Sequence, residues 1–345
     1  MLDERKQKVL YAIIKSYIES AEPIGSRTLT KKYQLGVSSA TIRNEMSDLE
    51  DLGYLMKTHS SSGRIPSDKA YRLYVDELLK IETPLVDQKE NEEIKEVLSN
   101  ESWDMDEIIQ NSAKILSALT KYTSIAATPK LKNSRIKNIQ LIEIYSMGVL
   151  VVIVCNNGII KNSIYRCDLD ITQDELNIIS NYFNKVFKDR TMDEILNILS
   201  LEQFKEIYKY RDFLKGLVDV IQNSIEELVE IELYSEGLMN ILNFPEFKDV
   251  EKAKSFISFI EDKDLLLNII QNTSMSKGID IIIGQENVYS PLKDISIITA
   301  TYTLSGRTIG KVGLIGPTRM DYLNLIRTLQ IFSSHVSNIL DLGDK

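Results

Sequence analysis

Residues 38–66 read SSATIRNEMSDLEDLGYLMKTHSSSGRIP. Ser38 or Ser39 can accept hydrogen bonds from the free amides of a first helical turn. A helix is therefore expected from there to about Leu52, where Gly53 ends it. Ile42, Met46 and Leu49 stand at i, i+4 and i+7, one face of such a helix, and should pack inward. The opposite side carries Ala40, Thr41, Arg43, Asn44 and Ser47. Beyond Gly53, residues 54–57 read as a short strand, 60–63 as a small polar turn, and Arg64-Ile65 as a return strand before Pro66.

Upstream, Leu10, Ile13, Ile14, Tyr17 and Ile18 mark a helix over 3–20 that Pro23 stops. A shorter helix over 26–34 places Leu29 and Tyr33 on one side, with Gly36 after it. Downstream, a helix is expected over 68–79, with Tyr71 and Tyr74 in the core. Three helices followed by strand, turn and strand is the order of a winged helix-turn-helix, in which the third helix enters the major groove. Candidate DNA contacts on that helix are Ser39, Ala40, Thr41, Arg43, Asn44 and Ser47. Arginine matches guanine and asparagine matches adenine in two-bond geometry. Lys57, His59 and Arg64 flank the hairpin turn, from which they can reach a phosphate or a minor groove. The competing reading of Arg43 and Asn44 is a solvated helix face. The turn, the hairpin and the local charge together favour DNA.

Charge agrees in placement. The chain carries 41 Lys+Arg against 50 Asp+Glu, a net of −9. Residues 1–80 hold 13 basic and 11 acidic groups, so polyanions should meet only that end. No segment approaches the roughly 18–20 apolar residues of a spanning helix, so no membrane partner is expected. Neither is a secretory leader, since the chain begins Met-Leu-Asp-Glu-Arg-Lys. Two cysteines exclude a disulfide scaffold, and Cys155 and Cys167 read as reduced thiols of a cytoplasmic protein. Two histidines exclude a multi-histidine metal centre within one chain. Gly313-Leu314-Ile315-Gly316-Pro317-Thr318 lacks the lysine of a phosphate loop, and Gly-x-Ser-x-Gly is not matched. Asp280, Glu286 and Asp294 read as separate solvated carboxylates and not as an acid/base set. No enzyme and no cofactor is expected.

The remainder reads as α+β. Residues 82–101 hold seven acidic groups against two lysines and suggest a linker. A helix is expected over 105–122, then strands at 136–145, 148–155 and 158–165. The middle strand is apolar on both faces. Helical spacing follows, including Leu214, Leu217, Val218, Ile221, Ile225 and Leu228. Strand character returns at 281–283, 295–304 and 308–315, and a last helix spans about 319–340, with Thr318 and Asp321 in capping-box spacing. This is one sheet domain interrupted by a mainly helical insertion.

Several stretches resemble the HrcA-type heat-inducible transcription repressors. They are Glu22-Pro23-Ile24-Gly25-Ser26-Arg27, Ser38 to Met46, Leu49 to Leu55, Gly63 to Arg72, Gly310-Lys311-Val312-Gly313 and Gly316 to Tyr322. The resemblance implies a winged-helix DNA-binding domain (1–80), a linker (81–104), a GAF-like domain (105–165 and 235–345), and an inserted dimerising domain (166–234). It further implies a homodimer bound to an inverted-repeat operator of the CIRCE type upstream of chaperone operons, held active by the GroE chaperonin. The apolar stripe of 166–234 is then the expected dimer seam. A rival reading is a metabolite-sensing repressor whose effector binds in the GAF-like domain. It predicts an enclosed, polar-dotted pocket there.

Overall fold

A computed structural model describes residues 2–57, 63–80, 92, 94–95, 105–128, 134–144, 148–156, 159–167, 171–199, 204, 207, 209–229, 231–272, 278–287, 289, 292–304 and 306–343. It is a mixed α/β structure with three sheets among these residues.

The N-terminal unit consists of α1 (Glu4–Ser20), α2 (Ser26–Lys32), α3 (Ser39–Asp51), β1 (Leu55–Lys57), β2 (Arg64–Pro66) and α4 (Asp68–Leu79). Asp3, Ser38 and Ser67 cap α1, α3 and α4 with their side chains, as short polar residues do at exposed helix starts. The anticipated apolar positions close one core. Leu10, Ile13, Ile14, Leu29, Ile42, Leu49 and Val75 are fully buried in it.

A five-stranded antiparallel sheet forms the body, in the order β7-β3-β10-β9-β8. Its strands are β3 (Thr123–Ala127), β7 (Leu233–Glu236), β8 (Ile279–Ile283), β9 (Ile295–Leu304) and β10 (Arg307–Pro317). One face is covered by α5 (Met105–Thr120) and α11 (Tyr322–Gly343), the other by α9 (Val250–Glu261) and α10 (Lys263–Asn272). Lys311 is buried in the second face, donates to the Ile270 carbonyl at 3.2 Å, and lies 3.6 Å from Asp280. Burial pulls its ammonium pKa down, against the Asp280 charge.

Between β3 and β7 the chain builds a separate sheet of β4 (Ile136–Ile144), β5 (Gly148–Cys155) and β6 (Ile160–Tyr165). The expected domain boundary at 165/166 put these strands into the larger sheet. They instead pair with one another, β4 packing on α6 (Gln173–Phe187) and β6 on α8 (Arg211–Val229), against which α7 (Met192–Ile198) also packs. The reason is alternation. Val149, Val151, Ile153 and Cys155 are buried while Leu150, Val152 and Val154 are only half-buried, so β5 has one covered face. Burial pushes the Cys155 thiol up to about 12.

Helix α6 also closes the free edge of β4. The Asn184 side chain accepts from the Ile139 amide at 2.7 Å and donates to its carbonyl at 2.9 Å. Ser180 accepts from Leu141 N, and Gln173 from Glu143 N. A helix face thus takes the place of a fourth strand and blocks edge-to-edge pairing.

The last helix starts at Tyr322, not 319. Asp321 is its capping side chain, accepting from Asn324 N, because residues 318–320 turn away toward α1.

Gly148 opens β5 at φ +119°, and a Cβ there would lie 2.0 Å from the Tyr165 carbonyl oxygen. Gly148→Ala is expected to cost about 3 kcal/mol, the upper end for a strained backbone site, because β5 and β6 must also part. Urea unfolding checks this. A variant as stable as the parent would contradict the Val149↔Tyr165 register.

Candidate nucleic-acid interface

Helix α3 is fixed from behind and open in front. Ile42, Met46 and Leu49 lie in the core, and Glu45 is buried beside them. Lys6 of α1 sits 3.0 Å from Glu45 and 3.2 Å from Asp48, and Arg5 is 3.7 Å from Glu45. Hydrogen bonds that Lys6 donates to Glu45, Asp48 and Asp3 raise its pKa, so the ammonium is the form that holds α3 to α1.

On the front, Ala40, Arg43, Asn44 and Ser47 are exposed at i, i+3, i+4 and i+7, a continuous stripe along one helix face. Ser39 and Thr41 are half-buried. The Thr41 hydroxyl lies 3.0 Å from the Ser38 hydroxyl, and Ser38 accepts from Thr41 N at 3.2 Å. Thr41 therefore belongs partly to the cap. Arg43 has no carboxylate within salt-bridge distance among the described residues; neither do Arg27 and Lys31, exposed on α2. Sequence reading passed over Arg27 and Lys31. Their signal was present in two cations on a short helix with no acidic neighbour, Lys32 being paired with Glu19 at 2.6 Å.

The hairpin residues divide. Lys57 and Arg64 stand opposite one another in the β1–β2 register. Both reach the Glu50 carboxylate, Lys57 at 3.0 Å and Arg64 Nε at 2.7 Å. The Lys57 side chain is 64% exposed and can swing to an external anion, whereas Arg64 is 17% exposed and held in place. The Arg64 backbone is also paired with Ile24 in both directions, at 3.0 and 2.9 Å, which ties the segment after α1 to the hairpin. His59 lies outside the described residues.

The carboxylates considered as acid/base groups are dispersed into separate ion pairs. Asp280 meets Lys311, Glu286 meets Arg72, and Asp294 meets Lys252. No group of three metal-ligating side chains occurs among the described residues. Nor is any of their helices long and apolar enough to cross a membrane.

A family model described as the HrcA protein C terminal domain matches residues 106–326. The chain is 42% identical over 339 residues to the heat-inducible transcription repressor HrcA of Alkaliphilus metalliredigens, covering 98% of each chain. It is 43% identical over 343 residues to that of Clostridium tetani, covering 98% of this chain and 96% of the other. Among solved structures, a crystal structure of a hypothetical protein superposes with a TM-score of 0.67 at 24% identity, over 99% of this chain and all of that one, and so shares its fold.

Burial works to raise the Glu50 pKa, but the bonds from Lys57 and Arg64 outweigh it and hold the carboxyl below its ordinary 4.5. Since the folded value is the lower one, the stabilisation is complete above the unfolded glutamate range and is lost as pH falls through the folded value. Amide protection of residues 55–57 in the parent should therefore drop only once pH falls below the ordinary glutamate range. Glu50→Gln should show no such step. The same step in Glu50→Gln would assign it to another group.

Proposed function

The chain belongs to the HrcA family of heat-inducible transcription repressors, and we propose that it represses as a dimer reading an inverted-repeat operator of the CIRCE type, one α3 helix per half-site. It is a regulator and not an enzyme. The carrying observation is the exposed Ala40, Arg43, Asn44, Ser47 stripe on a helix locked from behind by core and ion pairs. In this reading residues 1–80 are a winged helix-turn-helix. Arg43 and Asn44 read base edges, and Ser39 and Thr41 approach the backbone near the helix start. Arg27, Lys31 and Lys57 supply phosphate contacts, which position the unit without reading sequence. Arg64 acts through Glu50, setting the hairpin's angle to α3.

Two half-sites require two-fold protein symmetry. The apolar stripe of the inserted segment, expected as the dimer seam, is spent inside the protomer, where Leu214, Leu217, Ile221 and Ile225 of α8 are buried. The seam we propose is the other face of the small sheet. There Ile142–Leu150–Ile164 and Val154–Ile160 form cross-strand apolar rows, with Ile160 63% and Ile164 51% exposed. The dimerising unit then includes the three strands, between β3 and β7, and the flanking segments with the five-stranded sheet form the GAF-like body. The GroE chaperonin, brought by the family resemblance, shifts the repressor toward its DNA-binding form in the cytoplasm.

The metabolite-sensing reading has less support. Among the described residues, one cleft of about 390 Å³ between α5 and α11, lined by Ile94, Leu119, Tyr122, Asp321 and Leu325, opens to solvent. Its carboxylate, Asp321, already caps α11.

Arg43→Ala should lose about 1–3 kcal/mol of operator affinity and relax the preference at one position per half-site, with little change on random DNA. Equal loss on both DNAs would make Arg43 a phosphate contact. Val152→Glu should sediment as a folded monomer with weak half-site binding. A dimer at the parent's concentration range would move the seam elsewhere. Purified chaperonin with ATP should raise the operator-bound fraction at fixed repressor, and an unchanged fraction would remove it from the account.

A further inference from the structure

Two of the sequence stretches singled out above, 63–72 and 316–322, contribute nothing to the exposed face of α3. They meet where the N-terminal unit rests on the body. Helix α4 belongs to the N-terminal unit through buried Ala70 and Val75 and the edge-on Tyr11–Tyr74 pair, 5.3 Å between ring centres. Its other side faces the turn after β8 and the start of α11.

There the contact is specific. The Arg72 guanidinium donates through Nε to Glu286 Oε1 at 2.6 Å, through Nη2 to the second oxygen of the same carboxylate, and to the Ile281 carbonyl at 2.7 Å. The Asp68 carboxylate accepts from the Gln285 amide at 2.9 Å. Gly284 stands at φ +49°, and a Cβ there would lie 2.3 Å from Asp68 Oδ2, so the turn is shaped around that side chain. Asn287, buried, holds the turn rigid by donating to the carbonyls of Gly284, Leu292 and Ile295 at 2.8, 3.0 and 2.9 Å. At the far end, Arg319 pairs with Glu246 and donates to the Ile18 carbonyl in the last turn of α1 at 3.0 Å. Between the two lie Tyr71 and Tyr322, both fully buried, ring centres 5.7 Å apart. The Tyr322 hydroxyl is satisfied by Ser296 and Thr318, whereas the buried Tyr71 hydroxyl makes no hydrogen bond.

A single contact would leave the N-terminal unit free to swivel. Two polar clamps on different helices, α1 and α4, remove that rotation. The first is a bidentate arginine–carboxylate pair across the interface, which fixes direction as well as distance; in the second, Glu246 holds the Arg319 guanidinium within the body so that it is aimed at the Ile18 carbonyl. We propose that Asp68, Arg72 and Arg319 are positioning residues for operator recognition: they lock the N-terminal unit to the body, so that the separation of the two α3 helices in the dimer, and with it the accepted half-site spacing, is set at this interface. The proposal rests on the inverted-repeat reading above. It adds that spacing specificity resides in residues that never touch DNA. The orphaned Tyr71 hydroxyl marks the docked state as one the clamps hold in place, since a buried unbonded hydroxyl favours separation.

The test uses the full-length chain and a set of inverted repeats whose half-sites are moved apart in single-base-pair steps, alongside an isolated half-site. The parent should prefer one spacing over another shifted by half a helical turn by about tenfold or more, because half-sites must present the same face of the duplex. Arg72→Gln, Arg319→Gln and Gly284→Ala should each flatten that preference to within about threefold, as a loosely tethered pair of heads does, and leave half-site affinity at the parent's level. Unchanged half-site affinity also reports that the variants are folded. Amide exchange supplies a readout without DNA. The Gln285 amide should lose protection in Arg72→Gln while the α3 amides keep theirs. Variants that retain the parent's spacing profile, or a Gln285 amide as protected as in the parent, would overturn the proposal. A parent protein with no spacing preference at all would overturn the inverted-repeat reading itself, a result that the variants are not needed to see.

Discussion

Helix α3 has to serve a core and an external surface at once, and the rest of the N-terminal unit is arranged to let it. Thirteen residues cannot hold a fixed direction in water unaided. Ile42, Met46 and Leu49 supply the burial, and the Lys6–Glu45–Asp48 cluster pins the helix against α1. These carboxylates draw the nearby cations of α1 to the back of α3. Arg43, Arg27 and Lys31 stay exposed without acidic partners among the described residues. The charge pattern of an acidic protein with a cationic tip is therefore a consequence of where its carboxylates are used.

The body distributes apolar surface unevenly. The five-stranded sheet is covered on both faces and needs no partner to complete it. Among the described residues the small sheet is covered on one face only, and β4, one of its two edge strands, is closed by side chains of α6. What remains is a face on which rows of branched aliphatic side chains flank exposed Gln140 and Asn162. Such a face suits association with a second copy face to face, the geometry a two-fold assembly uses.

Much of this was legible in the sequence because it rests on local periodicity. The spacing of Ile42, Met46 and Leu49, a serine cap at 38 or 39, and the glycine at 53 announce the N-terminal elements with errors of a residue or two. What escaped depends on distant partners. Strands β3 and β7 are short, and β3 is rich in alanine and serine, so neither declares itself without the neighbours that bury it. Arg64 reads as a free cation until Glu50 folds back on it. Asp68, Arg72 and Arg319 look like surface charges in the chain, yet their partners lie at 246, 285 and 286. The helices after 166 show their apolar stripe plainly. That three strands upstream pack against it cannot be read from period alone.

The central claim is that two α3 helices read two symmetric half-sites. Hydroxyl-radical footprinting of the full-length protein on the DNA upstream of its own coding region tests it most directly. The account predicts two protected patches related by a dyad, lying on one face of the duplex and centred about one helical turn or a whole multiple of it apart. A single asymmetric patch, or protection that spreads evenly along the fragment without a dyad, would contradict it.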